Sequence, residues 1–467
     1  MARPQTQPAR GMRDFLPEDV RRREYVIGVI ADVYRRYGFE PLETPAVENI
    51  ETLMGKYGEE GDRLIFKILK RGEEGRQTGL TDLALRYDLT VPLARVVAEY
   101  RGALPRVFKR YQVQPVWRAD RPQKGRFREF YQCDVDIVGS RSPIVETELC
   151  AAVSDVLERL GFEDFTIRLN DRRVLTGLLD AAGLPADQHG TALVAIDKLD
   201  KIGIAGVRED LQGRGVAEGI AARLVAVFAH PAEVGASGIA PARAWHDLLA
   251  AWTEGTLAAA GLGGTLGPAS AEAQAARESL ESILALSRET SAARHMQLDL
   301  SLARGLSYYT GAIMEISVPD LAGSLGGGGR YDGLIGMFLG EQIPACGFSL
   351  GLERILVVMS ERQMFPPALT SVSADVLMTI WSAERAADAI ALATSLRRAG
   401  VRVDVYPDAD KLGKQFKYAS SRHIPFVAVV GDDEAARGEV TIKDLNTGEQ
   451  RTVARADAVT LLKDDRR

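Results

Sequence analysis

Residues 117–139 read WRADRPQKGRFREFYQCDVDIVG. The second half alternates strictly. On a strand, Tyr131, Cys133, Val135 and Ile137 point to one side and Gln132, Asp134 and Asp136 to the other. The first half is a basic loop, with Arg118, Arg121, Lys124, Arg126 and Arg128 around a Pro122 and Gly125 turn. The unit is therefore strand, cationic loop, strand. Two readings fit it. Either the arginines meet an anion while the polar row meets something small and cationic, or this is a surface hairpin with one wet face, a common arrangement in antiparallel sheets.

Toward the N-terminus, residues 106–117 are strand-like and 91–100 helical. Residues 84–90 read as extended and stop before Pro92. LIFKIL (64–69) reads as a strand and RGEEGRQTG (71–79) as a turn-rich loop. Pro41 and Pro45 bracket an extended segment, and proline is excluded from a central, fully paired strand, so the segment suits an edge or an interface. Apolar residues from Val20 to Tyr34 form one broad side of a helix over 17–37, which Pro17, Glu18 and Asp19 start and Gly38 ends. Residues 1–10 read as a disordered arm without the apolar core of a signal peptide.

Toward the C-terminus, 143–160 is a second amphipathic helix and 165–169 a strand. From 171 to 290 Ala, Leu and Gly dominate with helical periods, which reads as an inserted helical module. Strand, turn, strand resumes at Gln297. Gly326–Gly329 run directly into Arg330-Tyr331-Asp332, which favours backbone lying close to a ligand or another strand over a flexible linker. This run matches neither a Walker loop nor a dinucleotide-binding loop. Residues 343–359 are a short strand running into a helix. After a Pro/Ser linker (364–373), strands and helices alternate through 374–467 and end on a hairpin across Asn446-Thr447-Gly448.

The chain has 467 residues, 46% hydrophobic and 26% charged, which predicts two to four soluble globular domains. No apolar run approaches the roughly 18 residues of a membrane span. Cys133, Cys150 and Cys346 are far apart and odd in number, which points to a reducing cytoplasm. The five histidines are scattered, with no zinc spacing. A net charge of −6 argues against a general nucleic-acid coat, yet residues 101–128 hold nine Lys/Arg and one acid, Asp120. That run is either a local polyanion site or a solvated charged face.

Several signatures appear in order: GMRDFLPED, FEPLETPAVE, the 117–139 stretch, LARGLSYYTG, SLGGGGRYDGLIGMF and GFSLGLERI. Together they resemble the histidyl-tRNA synthetase family of class II aminoacyl-tRNA synthetases over nearly the whole chain. RYDLTVPLAR, AIDKLDKIG and CDVDIVG place the resemblance nearer the eukaryotic-type branch. The resemblance implies a mixed α/β (α+β) fold: an antiparallel-sheet catalytic domain (11–170 and 291–363) with a helical insertion (171–290), then the linker and a C-terminal α/β anticodon-binding domain (374–467). It implies activation of L-histidine by ATP to histidyl-adenylate and pyrophosphate, then transfer to the 3′ end of tRNA(His). Negative charge builds at the α-phosphate, so cations must gather there. The catalytic set implied is Arg118, Arg304 and Arg354, and the ATP-binding set Arg118, Arg126 and Arg354. The implied histidine-binding set is Asp88, Leu89, Thr90, Arg118, Gln132, Asp136, Arg304, Tyr308, Tyr309 and Tyr331. Asp88, Thr90 and Gln132 would take the ammonium, Asp136 and Tyr309 the imidazole.

Arg121, Lys124, Lys414 and Lys417 are the implied tRNA contacts, with Lys411 and Arg422 beside them. Mg²⁺ would accompany ATP, its protein ligands unassigned, and no zinc is expected. The FEPLETPAVE motif implies a homodimer, in the cytoplasm and without a membrane partner. One departure is Ser307, where the family usually has Asp between Leu and Tyr-Tyr. Two rivals are a non-charging regulatory paralogue and a tRNA-sensing pseudoenzyme. The first generally lacks the C-terminal domain and the arginine of LARG, and this chain has both. Its intact Arg118, Arg126, Arg304 and Arg354 disfavour the second.

Overall fold

The computed structural model describes residues 6–229, 242–258, 263–264, 266–304, 309–370 and 374–464. Residues 1–5 of the expected arm lie outside them, and 6–10 are exposed coil and turn. The chain forms two compact units, Met1–Phe365 and Pro366–Arg467.

An eight-stranded sheet organises the first unit. Its strands are β1 (Glu40–Pro41), β2 (Phe108–Trp117), β3 (Glu129–Val138), β4 (Thr166–Asp171), β5 (Met296–Leu298), β6 (Ala312–Ser317), β7 (Ser324–Arg330) and β8 (Ala345–Gly351). Their spatial order is β1-β2-β3-β8-β7-β6-β4-β5. The six inner strands are antiparallel, and the outermost pairings, β1 on β2 and β5 on β4, are parallel. Pro41 thus lies on an edge strand, where its missing N–H leaves no ladder bond unmade.

Four helices matter for the site: α1 (Pro17–Arg36), α2 (Thr90–Glu99), α3 (Ile144–Arg159) and α4 (Leu352–Glu361). Cys133, Val135 and Ile137 of β3 share one buried core with the apolar faces of α1, α3 and α4. The opposite row is not wet. Gln132, Asp134 and Asp136 are 7%, 2% and 2% exposed, so the surface-hairpin reading fails. A second core, with Leu53, Tyr57, Ala84, Leu93, Phe108 and Tyr331, closes the neighbouring end.

Two local expectations are corrected. Residues 71–79 contain a short helix, Glu73–Thr78, which ends at Gly79 in the left-handed region (φ 70). Thr90 begins α2 instead of ending an extended run, and Pro92 falls in its first turn, where a missing N–H costs little. Among the described residues, the 171–290 stretch holds helices from Arg172–Ala181, capped by Asp171, to Ala271–Ser287, capped by Ser270. Its apolar residues, Leu175, Leu178, Trp252 and Ile283 among them, join the core of α3 and β4.

The second unit holds β9 (Val376–Met378), β10 (Val403–Val405), β11 (Phe426–Val429), β12 (Glu439–Asp444) and β13 (Gln450–Ala454), in the order β10-β9-β11-β12-β13. The first three are parallel, the rest antiparallel. Central β9 is buried on both faces, Val376 and Met378 in one core and Leu377 in another, as crossover helices on each side require. Among the described residues, no helix is long and apolar enough to cross a membrane.

Candidate active site

Three ranks of side chains cross β2, β3 and β8. The register sets Arg110 opposite Asp136 and Asp136 opposite Gly347. It sets Gln112 opposite Asp134 and Asp134 opposite Ser349, then Gln114 opposite Gln132 and Gln132 opposite Gly351. Arg110, fully buried, places Nη2 2.9 Å from Asp136 Oδ2 and 3.9 Å from Asp134 Oδ2. Gln132 donates to Ser349 Oγ at 2.9 Å and to Asp134 Oδ1 at 3.2 Å. The Tyr331 hydroxyl donates to Asp136 Oδ1. Gly347 is needed because a Cβ there would sit 1.9 Å from Asp136 Oδ1. Burial pushes the Asp134 carboxyl up to about 7, against the pull of Arg110. Asp136 is raised for the same reason. This is a rigid floor of polar groups whose partners are mostly one another.

Above it lies a cavity of about 410 Å³. Its lining includes Asp88, Thr90, Arg118, Arg126, Gln132, Asp134, Asp136, Arg304, Tyr309, Glu315, Tyr331 and Arg354. Asp88 is buried and accepts the Tyr57 hydroxyl and the Val91 N–H, both at 3.0 Å, and burial raises its pKa. Arg118 stacks over Tyr87 (4.4 Å) and Phe130 (5.1 Å) and donates to Gln132 Oε1 at 3.3 Å. Both Arg126 Nε and Nη2 lie 2.9 Å from Asp120 Oδ2. Arg304 pairs with Glu315, whose carboxyl burial raises, and Glu315 also faces Arg168 at 3.4 Å. Arg354, on α4, donates to the Ser324 carbonyl. Burial, and then the nearby guanidinia of Arg304 and Arg126, depress its pKa. Four arginines of one cavity therefore come from the loop after β2, the segment before β6, and α4.

The remaining wall is backbone. Gly326, Gly327 and Gly328 of β7 line the cavity. A Cβ on Gly326 would lie 2.5 Å from the Ser349 carbonyl, and one on Gly328 would lie 2.2 Å from that of Gly347. Nothing but glycine lets β7 pass here unaltered.

The residues named from sequence mostly meet in this cavity. Leu89 does not: its side chain is fully buried, and its carbonyl accepts from Arg110 at 3.4 Å. Tyr308 and Ser307 lie outside the described residues. Arg121 and Lys124 are exposed on the loop, Lys124 paired with Glu361. In the second unit, Lys411, Lys414, Lys417 and Arg422 are exposed on and beside the helix Leu412–Ser421, Lys414 held by Asp410 at 2.6 Å. Sequence reading missed Arg110, Glu315, Ser349 and the buried role of Asp134. Asp134 shares the alternation of Gln132 and Asp136, and Arg110, Gln112 and Gln114 alternate likewise on β2, so that signal was present.

Comparison with known proteins adds an independent line. The model of a family described as Histidyl-tRNA synthetase matches residues 11–355, and that of an Anticodon binding domain matches 375–465. The chain is 39% identical over 472 residues to a histidine–tRNA ligase of Phocaeicola vulgatus, covering 97% of this chain and 98% of that one. It is 41% identical over 480 residues to a histidine–tRNA ligase of Gloeobacter violaceus, with 97% of each chain covered. Among solved structures, it is similar to a histidyl-tRNA synthetase from Nostoc, with a TM-score of 0.77 and 30% identity across 99% of this chain and 100% of that one. These relatives are bacterial and lend no support to a eukaryotic-type placement.

Proposed function

The chain belongs to the histidyl-tRNA synthetase family, and on that premise we propose how its own residues carry out histidine–tRNA ligation. The reaction is the family's: a histidine carboxylate oxygen attacks the α-phosphorus of ATP, the bond to the β-phosphate breaks, and pyrophosphate leaves. The terminal adenosine hydroxyl of tRNA(His) then attacks the carbonyl of the adenylate, releasing AMP and a proton.

One observation carries the division of roles: a floor of buried carboxylates and four arginines share one cavity. Asp88, Thr90 and Gln132 take the α-ammonium. Asp136, already oriented by Arg110 and Tyr331, takes the imidazole with Tyr309. Holding both ends of histidine by hydrogen bonds rejects apolar isosteres, whose binding would strand buried polar groups. Arg118 spans the substrate carboxylate and α-phosphate. Arg304 faces the α-phosphate, Arg126 the γ-phosphate and Arg354 the opposite side of the nucleotide. Catalysis on this reading is positioning and charge neutralisation. ATP enters as its magnesium complex. Before the nucleotide arrives, Asp120, Glu315 and Glu353 of the cavity are each engaged by an arginine.

The rest of the reading follows the family. Edge strand β1 with its motif joins two copies into a homodimer. Arg121 and Lys124 meet the acceptor end, and Lys414 and Lys417 the anticodon side. The protein works in the cytoplasm. Its eukaryotic-type affinity rests on sequence elements alone. The test is histidine-dependent ATP–pyrophosphate exchange. Wild-type protein exchanges, and Arg304→Ala loses about 10²–10³-fold with an unchanged melting curve. Undiminished exchange in Arg304→Ala removes that arginine from its assigned role.

A further inference from the structure

Alternating arginines and aromatic rings form a stack beside the cationic loop. The Arg13 guanidinium lies 3.6 Å from the centroid of Phe127 and 4.8 Å from that of Phe15. Arg23 lies 4.1 Å from Phe15 and 4.7 Å from Tyr131. The order is Phe127, Arg13, Phe15, Arg23, Tyr131, joining the N-terminal segment, α1, the loop and β3. One end reaches the cavity, because Phe127 lines it. At the other end the Tyr131 N–H donates at 2.9 Å to Glu353, a lining residue that also accepts Arg23 Nη1 at 2.8 Å. Arg13 itself does not line it.

Backbone contacts fix the register of this stack. The Arg128 N–H donates to the Gly11 carbonyl at 2.8 Å. Gly11 has φ +84, and a Cβ there would lie 2.8 Å from both Arg128 Cγ and Pro122 Cγ. Lys124 and Arg126, at the loop's tip, stay exposed. A flat guanidinium against an aromatic face is attractive and directional. Phe127 is thus held from outside while another part of it meets the nucleotide space.

We propose that Arg13 is a positioning residue for ATP: stacked on Phe127, it holds the cationic loop in the pose that receives the nucleotide. This rests on the ligase reading above, and the two fail in different ways. Absence of histidine-dependent exchange in the wild type overturns the ligase reading before any variant is made.

The experiment compares full-length wild type with Arg13→Met and Arg13→Lys in that exchange assay, varying ATP and histidine separately. Methionine keeps the apolar stem and removes the charged plane. Arg13→Met should raise KM for ATP about tenfold, with kcat and the KM for histidine within about twofold of wild type. Arg13→Lys should recover much of the loss, because an ammonium over a ring keeps part of the attraction. An unchanged KM for ATP in Arg13→Met overturns the proposal. So does an equal rise in both KM values with a lowered melting temperature, which marks a merely structural role. If Arg13→Met does not fold, Phe15→Leu, which removes the middle ring, is measured by the same criterion.

Discussion

On the cavity floor, Arg110 is wholly buried and shared by Asp134 and Asp136; at the rim, Arg126 leaves 46% of its side chain in water and rests on Asp120. The floor's charges are each other's permanent partners. Removing one leaves the rest buried and uncompensated, which is far costlier than never having buried them. Arg126 sits on a carboxylate that a phosphate can displace, and so exposed a pair contributes little to stability. On the proposed reading, one pocket uses both arrangements, one to hold histidine and the other to exchange a polyanionic nucleotide.

The sharpest way to break this contrast is at Arg110. Arg110→Met should cost about 3–5 kcal/mol in urea unfolding, since two buried carboxylates lose their cation. A loss below about 1 kcal/mol would mean that the floor is not held by charge. The next effect is one of pH. Asp134 has a folded pKa of about 7, above its unfolded value, so folding favours its protonated form. Its stabilising contribution is complete below about pH 4 and is lost as pH rises to about 7. Wild type should therefore lose on the order of 2–3 kcal/mol relative to Asp134→Asn between pH 5 and pH 8. A pH-independent difference between the two proteins would show that Asp134 is ionised throughout. The smallest change belongs to the rim. Asp120→Asn should shift stability by less than about 1 kcal/mol. It should lower KM for ATP about two- to threefold in the exchange assay, because Arg126 no longer has to be drawn off a carboxylate. A stability loss of several kcal/mol would place Asp120 with the floor.

The same contrast explains what the sequence made legible. Alternation from Tyr131 to Ile137 marked the polar row, and spacing put Gln132 and Asp136 on one face. That the row is sealed depends on β2 and β8 lying on either side, and strand neighbours distant in sequence leave no periodic trace. Arg110 was submerged in the basic run 101–128. In the fold that run separates: Arg110 is buried, Lys109 pairs with Glu148 at 2.9 Å, and Arg101 with Glu341 at 2.7 Å. Glu315 is the one charged position in its strand, and only the approach of Arg304 and Arg168 gives it meaning. Leu89 sits between two cavity residues in sequence, yet the helix that starts at Thr90 turns it inward. The glycine run was readable as close-packed backbone because aromatic and charged residues follow it immediately.

That run bears on how an inhibitor of this pocket would age. Resistance usually arises when a side chain that touches the compound is exchanged for another. Along Gly326 and Gly328 no such side chain exists, and any replacement strikes the neighbouring strand's carbonyls at 2.5 and 2.2 Å. A compound that draws its affinity from the peptide groups of β7 would face a surface with few viable escape mutants, whereas one anchored on the exposed loop arginines would face many.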